Sequence, residues 1–367
     1  MNPFAPHGYL EPLNSLNRVM MTDEYEGIQA VQLISADALI MMMEEAGLAE
    51  RLSEKYPKRE WPRGLTEIAF GECPSAERQR AARRIIDEYA ERVRSFVLVL
   101  LDGPAAARQA RVDWDESHWD WWAGVDRIVF SGGLSLGYFG YAIKAALCRD
   151  HAEGRREFIF PRRRAILPMA GAALMVGSDR DVSDDGGIVA LDFGHSSVKS
   201  GLFTRSANQL VDYIPLGQTP TPRNFSMLDG IWHAENESLR AFFFGRIHSA
   251  VQEAELRDGP LVGLGISIAN YVQNGRVVPR GLYGFLKRDN ADEDSDIGVD
   301  IGSEIAGLAR RIGLGEEDYS FMHDGTAAAV PYAGLPGRTA VIVLGSAIGG
   351  GFPTTAPKAR LALEGFM

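Results

Sequence analysis

The sequence predicts a two-domain α/β protein, on three observations. First, apolar, strand-like runs end in glycine-rich turns at three places: Val125-Asp-Arg-Ile-Val-Phe-Ser-Gly-Gly-Leu-Ser135, Ile188-Val-Ala-Leu-Asp192-Phe-Gly194-His-Ser196, and Val341-Ile-Val-Leu-Gly345-Ser-Ala-Ile-Gly349-Gly-Gly351. Second, beyond Gly187 short β-rich runs alternate with helix-like stretches, the pattern of a sheet covered by helices. Third, 367 residues are more than one small core serves, so two domains are expected.

Taken in order, residues 1–30 are rich in Pro, Asn and Met and carry no clear period. Ala36 to Tyr56 reads as a helix, because Leu39, Met42, Met43, Ala46, Leu48 and Leu52 keep helical spacing. A longer helix is expected from Ser75 to Val99. Pro74 precedes it, Glu77 lies in its first turn, and Ile85, Ile86, Tyr89, Val93 and Phe96 form one stripe. The insert 113–122 sets Trp114, Trp119, Trp121 and Trp122 among acids and reads as a packed surface flap, with a sugar-stacking platform as the alternative. The strand Ile128–Phe130 leads through a Gly-Gly turn into a helix from Gly137 to Cys148. A basic stretch with Arg155, Arg156, Arg162, Arg163 and Arg164 follows, and its run 162–164 reads as a solvated face, with the rim of an adenine site as the alternative. A small-residue helix, Leu167–Leu174, precedes the polar stretch Gly177–Gly187, which reads as the linker between halves.

The second half opens with strands at Ile188–Asp192, Val198–Thr204 and Leu210–Pro215, a meander separated by glycine and polar turns. A helix is expected from Leu239 to Leu256, a buried strand at Leu261–Ile268, and a turn at Asn274-Gly275. Ser303–Ile312 reads as helix, Tyr319–His323 as strand, Thr326–Tyr332 as a helix start and Ala340–Leu344 as the last core strand.

Composition narrows the partners. A net charge of −11 argues against nucleic acid or an anionic membrane, since both require a basic surface to neutralise phosphates. Two cysteines, Cys73 and Cys148, are too few for a disulfide framework or a Cys-rich zinc site. The first thirty residues contain Asp and Glu and lack the long apolar run of a signal peptide. No apolar run is long enough to span a bilayer, so a cytoplasmic protein is expected.

Each turn carries chemistry and also a plain structural alternative. Asp192, at the end of a strand and followed by Gly194, Ser196 and Ser197, suits a site where a carboxylate holds Mg²⁺ through water while backbone N–H groups face phosphate oxygens. A simple hairpin turn would use the same residues. Gly345, Ser346, Gly349 and Gly350 would let a backbone approach phosphate closely, or would make another glycine-rich hairpin. Neither stretch is a P-loop. Asp324 stands at a strand end before an Ala-rich helix, where it could act as a general base or merely as an N-cap. Gly133-Leu-Ser135-Leu-Gly137 satisfies Gly-x-Ser-x-Gly, the nucleophile elbow of a serine hydrolase, but no strand-end acid and histidine follow at suitable spacing.

Read cyclically from Gly187 to Met367 and then from Met1 to Gly177, these segments resemble ROK-type sugar kinases of the actin and hexokinase ATPase superfamily. Asp192-Phe-Gly-His-Ser resembles that family's Asp-x-Gly-Gly-Thr, and Gly263-Leu-Gly-Ile-Ser-Ile-Ala-Asn270 its Gly-Ile-x-x-Pro-Gly segment. His323-Asp324-Gly-Thr-Ala-Ala-Ala resembles Asn-Asp-x-Asn-x-Ala-Ala, and Gly345-Ser-Ala-Ile-Gly-Gly-Gly resembles Gly-Thr-Gly-Ile-Gly-Gly-Gly. Ile128-Val-Phe-Ser-Gly-Gly-Leu-Ser resembles Ile-Val-x-Gly-Gly-Gly-x-Ser, and Gly171-Ala-Ala resembles the closing Gly-Ala-Ala helix. The adenosine-side motif, normally last, comes first here, which marks a circular permutation.

The resemblance implies two ribonuclease-H-like (actin-like ATPase) domains with an interdomain cleft. One would be 1–180 completed by 336–367, the other 187–335. It implies an ATP-dependent kinase with ATP and Mg²⁺ as cofactors and a sugar or sugar-like polyol as substrate; a homodimer is compatible with it. Asp324 would be the catalytic base and Asp192 the Mg²⁺ carboxylate. Gly194, Ser196, Ser197, Gly345, Ser346, Gly349 and Gly350 would face the phosphates, and Gly132, Gly133 and Ser135 the adenosine side. Asn270, His323 and Glu364 would fall to the sugar. The chain departs from the family where His323 replaces Asn, where Ala269-Asn270 replaces Pro-Gly, and where the Cys-rich zinc and Glu-x-Gly-His motifs are missing. A non-catalytic nucleotide- or sugar-responsive protein is therefore the alternative, and a hydrolase using Ser135 the third reading.

Overall fold

The computed structural model describes residues 3–4, 15–71, 75–149, 156–177, 185–221, 236–257, 259–278, 282–286, 298–353, 357 and 360–362. Its contacts gather into two units, chiefly Leu13–Ala165 with Pro336–Gly350, and Ile166–Leu335 with Gly351–Met367. The sequence puts the division between 180 and 187; the structure puts it at Ala165/Ile166, and most of the linker read at 177–187 lies outside the described residues.

In the first unit the helices are α1 (Ala30–Ile34), α2 (Ala36–Glu45), α3 (Ala49–Ser53), α4 (Trp61–Phe70), α5 (Ala76–Asp102), α6 (Ala105–Ala110), α7 (Glu116–Ala123) and α8 (Gly137–Cys148). The helix expected over 36–56 is interrupted at Gly47, whose φ of 70° turns the chain while Gly47 and Leu48 N–H close back onto Glu44 O and Met43 O. Helix α5 forms as its stripe requires: Ser75 accepts from Arg78 N–H at 3.3 Å as N-cap, and Ile85, Ile86, Tyr89, Val93 and Phe96 are all buried. With strands numbered along the chain, β1 (Arg127–Ser131), β2 (Glu157–Ile159), β11 (Thr339–Leu344) and β12 (Ile348–Gly351) form a sheet of order β12-β11-β1-β2. Strand β1 runs parallel to both β11 and β2.

The tryptophan insert has one packed and one solvated side. Its tryptophans pack inward, with Trp119 and Trp122 2% and 0% exposed and Trp114 and Trp121 also buried, while Asp115, Glu116 and Asp120 are exposed. Its acids are used locally. Asp115 caps α7 by accepting from Ser117 N–H at 2.9 Å, and Asp113 accepts from Nε and Nη2 of Arg111 at 2.9 and 3.0 Å. Arg111, 1% exposed, lies 4.1 Å from the Trp114 ring centroid, and the bidentate carboxylate is what makes a buried guanidinium tolerable. The arginine stretch is likewise only partly a solvated face. Arg162 and Arg163 are exposed, but Arg156 donates to Ala123 O at 2.9 Å and Arg164 to Pro161 O at 2.9 Å.

In the second unit β3 (Gly186–Phe193), β4 (Ser197–Ser206), β5 (Gln209–Pro220), β6 (Leu261–Ile268), β10 (Tyr319–His323) and β13 (Arg360–Leu361) form a sheet of order β10-β6-β3-β4-β5-β13. Strands β3, β4 and β5 are the antiparallel meander, while β6 and β10 run parallel to β3. A small sheet of β7 (Val272–Gln273), β8 (Arg276–Val277) and β9 (Val299–Asp300) is turned at Asn274-Gly275, as expected. Helices α9 (Leu167–Met175), α10 (Asn236–Glu255), α11 (Gly302–Arg311) and α12 (Asp324–Ala329) complete the unit.

Strand periodicity sorts the side chains of this sheet onto two faces. Leu191, Phe193, Leu264, Ile266 and Ile268 pack with Phe243 and Ile247 of α10 and Ile305 of α11 in one core. Asp192, Gly265 and Ser267 alternate onto the other face, where α9 lies so close that a Cβ on Gly265 would come within 2.9 Å of Ala172 C. Helix α9 meets α12 just as tightly: a Cβ on Gly171 would stand 1.7 Å from Ala327 O. Gly171→Ala should therefore cost about 3 kcal/mol through forced separation of the two helices, measured as a lowered urea midpoint.

Candidate active site

Asp192 ends β3, and its neighbours are fixed by sheet register. Lys199 is its partner across the β3–β4 hairpin and Ser267 its partner on β6. The 4% exposed carboxylate receives Lys199 Nζ at 3.1 Å on Oδ2 and Ser267 Oγ at 2.9 Å on Oδ1. A buried carboxylate demands such partners, and these two fix its orientation. Sequence reasoning missed both, although cross-strand pairing was their signal.

Beyond Asp192 the turn is tied from several sides. Gly194 N–H donates to Ser197 O at 3.1 Å, and Gly194 O accepts from Thr221 Oγ1 at 3.1 Å and from Tyr283 Oη at 2.8 Å. Ser196 is exposed, with its carbonyl accepting from Thr221 N–H at 3.2 Å; Ser197 Oγ accepts from Gln218 Nε2 at 2.8 Å. Thr221 and Tyr283 are further positioning residues that the sequence reading did not single out. His195, in the same turn, is pushed down to about 4 by desolvation, so its imidazole is neutral at pH 7.

Asp324 is the first residue of α12, not its cap. The cap is His323, whose Nδ1 accepts Thr326 N–H at 3.3 Å. A neutral ring with an accepting Nδ1 carries its proton on Nε2, and Nε2 lies 3.1 Å from Asp324 Oδ1. Burial, and then neighbouring His195, lowers His323 to about 4, which keeps the ring in that neutral form. Tyr271 stacks on it, with ring centroids 4.9 Å apart and planes at 14°. The Asp324 carboxyl is raised to about 7, first by desolvation and then by ionised Asp192; Gly325 N–H, 2.7 Å from Oδ1, and Lys199 oppose the shift. A carboxyl that shares its proton with solvent near neutrality is suited to general-base work.

Two of the expected sugar contacts are differently engaged. Asn270 is buried, with Nδ2 donating to Val278 O at 3.2 Å and Oδ1 accepting Tyr271 N–H at 2.8 Å, so its amide shapes the loop above β6. His323 caps and stacks as described. Glu364 lies outside the described residues.

The remaining expected residues belong to the first unit, where parallel strands β1 and β11 end side by side. Gly132 follows β1 at φ 88°, and a Cβ there would stand 2.2 Å from Leu344 O, so only glycine lets the two strand ends meet. Gly133 faces open space. Ser135 is fully buried, its Oγ donating to Gly132 O at 2.8 Å, which braces the turn and does not present a nucleophile. Gly345 and Ser346 lie in the connection between β11 and β12, and Gly349 and Gly350 in β12 itself, with Gly345 N–H donating to Ala347 O at 3.2 Å.

Among the described residues no three His, Cys, Asp or Glu side chains converge as a cation cage. Both Asp192 oxygens already have partners. With both oxygens engaged, Asp192 would meet an Mg²⁺ only through water, the usual habit of this hard, strongly hydrated ion. No helix among the described residues is long and apolar enough to cross a membrane. No protein-family model matches the chain, and no curated protein matches it.

Proposed function

We propose that the chain is an ATP-dependent kinase transferring the γ-phosphoryl group to a hydroxyl of a sugar or sugar-like polyol, built on circularly permuted ribonuclease-H-like domains. One observation carries the reading: Asp324, a carboxyl raised to about 7 at the helix start after β10, stands at the same end of the parallel strands as the Asp192 carboxylate on β3, which Lys199 and Ser267 hold. The sheet order also supports it, since an antiparallel meander followed by parallel strands is the arrangement expected of a ribonuclease-H-like domain.

In this reaction Asp324 would take the acceptor hydroxyl's proton as its oxygen bonds to the γ-phosphorus, while the bond from that phosphorus to the bridging oxygen breaks and ADP leaves. His323 Nε2 steadies Oδ1, leaving Oδ2 for the acceptor. Asp192 would hold a nucleotide-borne Mg²⁺, and the turn 194–197 would face the phosphates. Mg-ATP, when bound, supplies the electrophilic phosphorus and the neutralising cation. Positioning and charge account for most of the rate in such transfers. His323→Ala should lower kcat about tenfold by loosening Asp324, with the nucleotide KM unchanged in steady-state kinetics.

One observation favours a non-catalytic nucleotide- or sugar-responsive protein: the Asn270 amide and His323 Nδ1 are spent on backbone partners. ADP release from Mg-ATP across hexoses, N-acetylhexosamines, cyclitols and aminoglycosides separates the readings. Turnover on one compound, lost in Asp324→Asn, supports the kinase; nucleotide binding without turnover on any supports the binding protein.

A further inference from the structure

We propose that the segment Ser15–Asn17 is a positioning strap for the glycine-rich loop 345–350, the turn after β11 together with the start of β12, with Asn17 setting the conformation in which it receives a nucleotide phosphate; the phosphate part rests on the kinase reading. The loop is rich in glycine, and glycine loses more backbone freedom on ordering than any other residue. A loop that must receive phosphate therefore gains from being held in place beforehand.

The strap supplies that hold at adjacent points. Asn17 Oδ1 accepts Ile348 N–H at 2.7 Å, Leu16 N–H donates to Ile348 O at 3.1 Å, and Ser15 forms an antiparallel bridge with Gly349. At the loop's other end, Ala36 N–H at the start of α2 donates to Gly345 O at 2.9 Å. The strap is anchored from behind, where Arg111 Nη1 donates to Ser15 O at 2.7 Å while Asp113 holds the rest of the guanidinium. The buried tryptophan insert thereby reaches the phosphate loop through one arginine. Within this clamp Asn17 provides the side-chain acceptor, and Ile348 is 1% exposed, so solvent is a poor substitute.

The test compares wild type, Asn17→Ala and Asn17→Asp, the last retaining an acceptor oxygen, by calorimetric titration with Mg-ADP and by amide hydrogen exchange over 345–350. Asn17→Ala should bind Mg-ADP about tenfold more weakly and raise the ATP KM with kcat and the acceptor KM unchanged. Its loop amides should exchange faster, while Asn17→Asp keeps Ile348 protected. Wild-type affinity in Asn17→Ala, or equal exchange in all three proteins, overturns the strap, as does an Asn17→Asp loop as open as that of Asn17→Ala. If wild type itself ignores Mg-ADP, the nucleotide reading fails, and the exchange arm still decides whether Asn17 orders the loop.

Discussion

Asp324→Asn should lower kcat by about a thousandfold while leaving nucleotide affinity unchanged, the loss expected when a general base is replaced by its neutral isostere. The same carboxyl sets a pH dependence. With a folded value of about 7, kcat/KM should rise with pH through neutrality and level off above it, as ionised Asp324 becomes the dominant form. Stability should run the opposite way. The folded value lies above the ordinary 3.8, so the folded protein binds more protons than the unfolded chain across that interval. The protonated form favours folding, and that contribution declines as pH rises from about 4 to 7. An amide has no such dependence. Asp324→Asn should thus be more stable than wild type at pH 8, by on the order of 2 kcal/mol, and equal to it near pH 3.5 in denaturant titrations. A variant both steadier and inactive marks Asp324 as a residue kept for chemistry rather than folding.

Asp192→Asn carries the second large effect. It preserves an acceptor for Ser267 but removes the charge paired with Lys199, and Mg-ATP-dependent transfer should fall by at least about a hundredfold. Because ionised Asp192 helps raise Asp324, the residual activity should titrate at lower pH than wild type. Asp192→Ala should behave differently. It leaves the Ser267 hydroxyl and the Lys199 ammonium without their carboxylate, costing about 2 kcal/mol of stability that the Asn variant retains. A pH–rate profile with a denaturant titration on both variants separates the electrostatic role from the structural one.

How much of this was legible in the sequence follows from which contacts are local. Periodicity predicts α5, the meander and the strand Tyr319–His323, because the patterns that set them lie within a few turns of chain. In the tryptophan insert Asp115 and Glu116 keep the solvated surface their charge suggests, whereas the hold of buried Arg111 on Asp113 is a contact no local pattern announces. The cap of α12 shifts from Asp324 to His323, since imidazole Nδ1 serves the turn as well as a carboxylate and frees Asp324 for other work. Lys199 and Ser267 reach Asp192 through strand register, which depends on the turn after Phe193 and on the parallel pairing with β6. Tyr271 over His323 and Asn17 beneath Ile348 are tertiary facts that no local pattern contains.

The central claim, phosphoryl transfer to a carbohydrate hydroxyl, is tested most directly by mass spectrometry of the acceptor panel after incubation with Mg-ATP and the purified protein. The account predicts one class of acceptor gaining a phosphate with wild type and not with Asp324→Asn. A phosphorylated acceptor formed equally well by Asp324→Asn, or no phosphorylated acceptor from any polyol while Mg-ATP is bound, would contradict it.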